Sequence, residues 1–183
     1  MAPGMLGGGE EKATAVALQI RAIDPYRGAM LLGALAEKRH LLPTAERYYG
    51  EAAARGSQDE GKAFENWVFM MAEQQRYTAA YSAASDRLKL LPSDYAALYQ
   101  LGRTTGLSGE HTAEGIAALR SARSVQRPIA ERFAASSVRY WMGILLERSG
   151  DRVGAAVEMR AAVEMNPKDP KAKEALARLT AVP

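Results

Sequence analysis

At 183 residues, with 48% hydrophobic and 25% charged residues, the chain has the make-up of one ordered domain with a substantial core. Net charge is only +3, and the basic residues are scattered among acids, as in Glu73, Arg76, Asp86, Arg87 and Lys89, so no polyanion-binding arm is expected. Cysteine is absent, which excludes disulfides, thiol nucleophiles and thiolate metal sites.

No apolar run approaches the roughly 18 residues that would span a bilayer. Met1 to Glu10 has neither a basic n-region nor an apolar h-region, so it does not read as a signal peptide. Its Gly7-Gly8-Gly9 run reads as a flexible leader or a cloning remnant, leaving residues 11–183 as a single helical domain. The composition favours a soluble cytoplasmic protein, with a periplasmic one open if an upstream signal was removed.

An opening helix is expected from about Glu11 to Ile23. Asp24-Pro25 ends it and starts the next, with Asp24 as N-cap and Pro25 at the first helical position. That helix carries Leu32 and Gly33 and ends near Lys38. A third begins around Pro43 and sets Ala45, Tyr49 and Ala52 on one face at i, i+4, i+7 spacing. Ser57 and Glu60 form a capping box ahead of a fourth helix with Phe64, Trp67, Val68 and Met71. The next runs from about Tyr77 to Leu91 and stops at Pro92. Ser93 or Asp94 caps a sixth helix holding Leu98, Leu101 and Gly102. A seventh covers Thr112 to Val125. Pro128 opens a longer one reaching Arg148, Gly150-Asp151 separates it from a helix ending near Met165, and Asp169-Pro170 begins a last helix to about Leu179. No useful stretch alternates with period two, so strands are not expected.

Small residues recur at fixed offsets along these helices. Gly33 is followed at twelve residues by Ala45, then Tyr49 and Ala52; Gly143 is followed at the same offset by Ala155, then Met159 and Ala162. Gly102 leads, with one extra residue, to Gly115, Leu119 and Ala122. Such self-similarity marks a repeat protein. Paired helices of this period, with these small and bulky positions, resemble the tetratricopeptide repeat. The resemblance covers roughly residues 25–180 in four imperfect copies. The second has Val68 where a Gly belongs, and the last matches best, at Met142, Gly143, Gly150, Asp151, Ala155, Ala162 and Pro167. It implies an all-α, right-handed α-solenoid of antiparallel helix pairs, closed by a solvating helix with Leu176 and Leu179 inward and Lys171, Lys173 and Arg178 outward.

Catalytic chemistry finds little support in the residues. His40 and His111 both fall in predicted turns, outside any metal-ligand spacing. The Gly102–Gly109 stretch lacks the Lys-Ser/Thr and the preceding strand of a phosphate loop. Trp67 falls at a core position. Trp141 lies one place off one, where packing is expected ahead of surface recognition.

The resemblance therefore implies a non-catalytic adaptor, scaffold or assembly factor that needs neither cofactor nor metal. Its ligand would be a protein or peptide, with no role for nucleic acid and no membrane insertion. The family's concave groove is lined by the first helix of each repeat. Projected here, its positions are Arg27, Met30 and Ala34; Lys62, Glu65 and Phe69; Ala96, Tyr99 and Arg103; and Ser137, Tyr140 and Ile144. Aromatic and Arg side chains are the types that carry interface energy. Asn at the positions of Ala34 and Phe69 would mark a carboxylate clamp, so that subclass is not expected. The Ala/Arg-rich composition looks bacterial. A homo-oligomer is the alternative: Val16, Ile20 and Ile23 give the opening helix an apolar face that a second copy, the chain's own groove, or the first repeat would cover.

Overall fold

The computed structural model describes residues 7–55, 60–125 and 132–181. These form ten α-helices and no strand: α1 (Gly7–Ile23), α2 (Pro25–Lys38), α3 (Leu42–Ala53), α4 (Glu60–Glu73), α5 (Tyr77–Leu90), α6 (Tyr95–Ser108), α7 (Thr112–Ser124), α8 (Arg132–Arg148), α9 (Arg152–Met165) and α10 (Pro170–Thr180). Helix α1 starts at Gly7, inside the stretch expected to be a flexible leader. Ser57 of the predicted capping box, and Pro128, lie outside the described residues. Among those described, no helix is long and apolar enough to cross a membrane.

Helix starts follow the caps expected at Asp24 and Asp94, and Asp151 and Asp169 cap two more. The carboxylates of Asp24, Asp94, Asp151 and Asp169 accept hydrogen bonds from Arg27 N–H (3.0 Å), Ala97 N–H (2.9 Å), Gly154 N–H (2.8 Å) and Lys171 N–H (3.0 Å). Each answers one of the four donors that a helix start leaves unpaired. Asp94, not Ser93, is the cap of α6.

Helix ends share a second device. His40, Gln75 and Gly150 take positive φ, and the following residue donates back five positions: Leu41 N–H to Ala36 O, Arg76 N–H to Met71 O, Asp151 N–H to Leu146 O. This is the Schellman closure, which turns the chain sharply after α2, α4 and α8. After α6 the connection again has three residues, 109–111, but a different backbone, the extra residue of this repeat lying within α6 itself. Gly109 closes that helix at φ +82°, and His111 takes positive φ again before α7.

The chain falls into two compact units, residues 1–76 and 77–183. In the first, α1 to α4 pack in succession, each helix on the next. Two small buried clusters hold this unit together: Ala36, Ala45, Tyr49 and Met70, and Ala29, Ala52 and Ala63. In the second, α5 to α10 pack in succession and α6 also meets α8. Its clusters centre on Leu98, Leu101 and Ala118; on Leu119, Val138, Met142 and Leu145; and on Ala155, Met159, Ala175 and Leu179.

The recurrent spacing has a direct steric meaning. A Cβ built on Gly33 would lie 2.6 Å from the Tyr49 ring and on Gly143 2.9 Å from Met159, and one on Gly102 would run into Leu119 Cγ. In each case a first-helix glycine is the seat for one bulky residue of the second helix. The alanines around these contacts (Ala45, Ala52, Ala155, Ala162) are fully buried, so the two backbones approach closely. Tyr49 donates its hydroxyl to Glu37 Oε2 at 2.7 Å, and burial, reinforced by that carboxylate, raises its pKa well above the usual phenol value.

Candidate interaction faces

In the first unit, α2 and α4 carry the expected groove residues. Met30 and Phe69 are half-buried and both pack on the Ala36–Ala45–Tyr49–Met70 cluster. Around them Arg27 and Ala34 are exposed, as is Lys62, whose Nζ stands 3.6 Å from Glu65 Oε2. Asp24 lies 3.4 Å from Arg27 Nε. This face therefore combines a shallow apolar strip with solvated charges of both signs.

The second unit places its expected residues differently. Tyr99 is half-buried on the Leu119–Val138–Leu145 cluster and stacks on Tyr95 with ring centroids 6.3 Å apart. Arg103 departs from expectation. The family's groove projection sets it among the lining cations, yet it is only 5% exposed, with its guanidinium carbon 6.0 Å from the Trp141 ring centre. A guanidinium is weakly hydrated and spreads its charge over a plane, so an aromatic face can help it tolerate burial. Tyr140 and Ile144 pack, half-buried, on the Ala155–Met159–Ala175–Leu179 cluster. Burial, with Asp169 nearby, raises the Tyr140 pKa.

Trp141 packs, as its place on the lengthened helix suggests. A Cβ on Gly106 would lie 2.6 Å from its ring, so α8 presses Trp141 into the gap that this glycine leaves on α6. Tyr140 meets the same ring edge-on at 5.0 Å. The signal was present in the sequence: Gly102 and Gly106 are four apart, which opens one helix face to two bulky neighbours. Trp67 is half-buried in its own unit, packed beside Gly50 and edge-on to Phe64. His111 stacks on Tyr81 at 4.2 Å, a contact its turn position did not suggest.

The opening helix docks on its unit by one side only. It packs on α2 through Ala17 and through Arg21, whose backbone lies against Gly28. Arg21 forks onto Glu51 of α3 at 2.7 and 2.8 Å, and Arg55 reaches the same carboxylate. Of the expected apolar face, Ile20 is half-buried while Val16 and Ile23 are 52% and 88% exposed, so within one chain the first repeat leaves most of it open.

No protein-family model and no curated protein matches this sequence. Solved structures do. A crystal structure of MamA is 20% identical and superposes with a TM-score of 0.62 over 88% of this chain and 91% of that one. MamA 41-end from Desulfovibrio magneticus RS-1 gives 19% identity and a TM-score of 0.63, covering 85% of this chain and 84% of that one. YrrB, described as a TPR protein with an unusual peptide-binding site, gives 15% identity and a TM-score of 0.63, covering 91% and 83%. At these identities the likeness is one of fold. This chain has a tetratricopeptide-like, all-helical repeat fold.

Proposed function

We propose that this chain is a non-catalytic protein-interaction module that binds a peptide or partner helix along the first helices of its repeats, α2 and α4 in one unit and α6 and α8 in the other. The observation that carries the reading is the α2–α4 face. Two half-buried apolar side chains from different helices, Met30 and Phe69, share one supporting cluster and are bordered by the exposed cations Arg27 and Lys62. Supported apolar anchors with a polar rim are how interfaces concentrate binding energy. That YrrB carries a peptide-binding site on the same fold supports the reading. In the second unit Tyr99, Tyr140 and Ile144 offer the apolar part. Arg103, being buried, holds Trp141 and serves the face from beneath.

The test is affinity capture with the wild-type protein and an Arg27→Glu/Lys62→Glu variant. Both positions are exposed, so the variant keeps its fold, which circular dichroism checks. Partners retained by the wild type and lost by the variant support the face; identical partner sets from both proteins overturn it.

Self-association through α1 is the second reading, favoured by the exposure of Val16, Leu18 and Ile23 on one helix. Sedimentation equilibrium decides it. A mass that rises with concentration and returns to the monomer value in Ile23→Glu supports it, and a monomer at all concentrations removes it.

A further inference from the structure

We infer that the second unit holds a separate binding site for an apolar carboxylate, in a cavity of about 340 Å³ among α6, α7, α8 and α9. The volume lies near the lower end of the roughly 300–1,000 Å³ typical of ligand pockets, enough for one large side chain or a small organic acid. Its wall is mostly apolar: Ala122 and Val125 from the end of α7 and its following residue, Ala135 and Val138 from α8 and Met165 from the end of α9, with Tyr95 as the contribution of α6. Two cations line the same cavity, Arg123 of α7 and Arg139 of α8.

Their arrangement gives the site its chemistry. Arg123 Nη1 donates to Glu158 Oε1 at 2.9 Å, and Arg139 Nη1 donates to Glu158 Oε2 at 2.8 Å. One carboxylate from α9 thus holds two guanidiniums from two other helices, and the trio keeps a formal charge of +1. Each guanidinium has five N–H donors. Beyond Nη1, neither Arg makes another hydrogen bond to a described residue. Glu158 is well covered, with its side chain 12% exposed, so it fixes the pair in place. A second carboxylate can therefore bridge the remaining donors without displacing Glu158, and the apolar wall beside it strengthens that contact by excluding water. The wall in turn takes the apolar group attached to the carboxylate. An apolar C-terminal residue carries both groups on one carbon, and a short fatty acid carries them on one chain. Neither ligand uses the α2–α4 face that carries the proposed function, nor Tyr99, Tyr140 and Ile144 of the second unit, so the two proposals fail separately.

The probes are the peptide Gly-Ser-Gly-Ser-Leu with a free C-terminus, its C-terminal amide, and octanoate. The readout is the methyl NMR spectrum of the full-length chain, followed at Val125, Val138 and Met165. Saturable shifts of these methyls by the free acid or by octanoate are expected, with the tighter of the two naming the source. The amide should bind at least tenfold more weakly than the acid, and Arg123→Gln should weaken both acids at least tenfold. Arg27→Glu/Lys62→Glu should leave these affinities unchanged. Because Arg123 is partly exposed, its Gln variant folds, and its melting curve checks this. Equal binding of acid and amide, equal binding by Arg123→Gln, or no methyl shift at millimolar concentration would each overturn the site.

Discussion

The glycines that seat a partner helix are the residues on which this fold depends most. Gly102 leaves room for Leu119, which is fully buried, and a methyl group there would sit inside the Leu119 side chain. Leu119 must then leave its rotamer or α7 must move outward. Gly102→Ala is expected to cost about 1–3 kcal/mol, as overpacking usually does, read as a lower urea midpoint. Gln75 is the opposite case. It holds φ +58° at the closure after α4 although it carries a side chain. Gln75→Gly removes the steric cost of that conformation and is expected to stabilise the protein by about 0.5–1 kcal/mol, after the loss from glycine's extra freedom when unfolded. An unchanged or lower midpoint would show that the Gln75 side chain contributes more than its backbone strain costs.

Among the elements, α1 is secured differently from the helices that follow. Its buried contribution is small, essentially Ala17 and the close approach of Arg21 to Gly28 with Ile20 half-buried, while Val16, Leu18 and Ile23 face solvent. The Arg21 fork onto Glu51 therefore carries much of its attachment to α3. Burial pushes the Glu51 carboxyl up, but hydrogen bonds from Arg21 and Arg55 outweigh it and hold the folded-state pKa below the usual carboxylate value. A lowered folded pKa contributes stability above the unfolded value, roughly 4.3, and loses it as pH falls through the folded one. Glu51→Gln is expected to weaken α1 docking by about 0.5–1 kcal/mol at neutral pH and to remove the Glu51 share of the acid-side loss. Hydrogen exchange of α1 amides at pH 7 and pH 3.5 measures both. Equal exchange in wild type and variant at pH 7 would mean that the contacts to α2 and its following turn, the Arg21–Gly28 approach and the Glu10–Arg39 ion pair among them, hold the helix without the fork.

For the molecule as a whole, charge argues against a polyanion ligand. The net +3 is spread over acids and bases, and many of the cations are already committed within each unit: Arg21 to Glu51, Arg76 to Glu46, Arg123 and Arg139 to Glu158, Arg178 to Glu147. Replacing many DNA counterions needs a surplus of phosphate-facing cations, and each such contact steepens the salt dependence. No retention of duplex or single-stranded DNA is expected at about 150 mM salt, with only a shallow salt dependence below it. Tight binding with a steep salt slope, measured by fluorescence anisotropy, would contradict this and would shift attention to the uncommitted surface cations.

The helices, their Asp caps and the repeat were determined by the sequence alone, because each depends on short-range rules. An Asp placed just before a helix serves the nearest free N–H groups. A Gly, Ala, bulky residue and Ala at set offsets seat one helix on the next. Arg27 and Lys62 were legible through the family resemblance, whose groove positions they occupy, and both are exposed. Tertiary structure decided what depends on residues distant in the chain. Arg103 fell on a groove position by spacing, yet the Trp141 ring from α8 covers it, and no local pattern records which neighbour arrives. Val16 and Ile23 form an apolar stripe on paper, but the side of α1 that docks was chosen by the gap at Gly28 and the anchor at Glu51. The Arg123–Glu158–Arg139 trio, drawn from three helices, left no trace in the sequence because its members meet only when α7, α8 and α9 pack. Local periodicity can say which side of a helix is apolar; only the packed neighbours decide which side is covered.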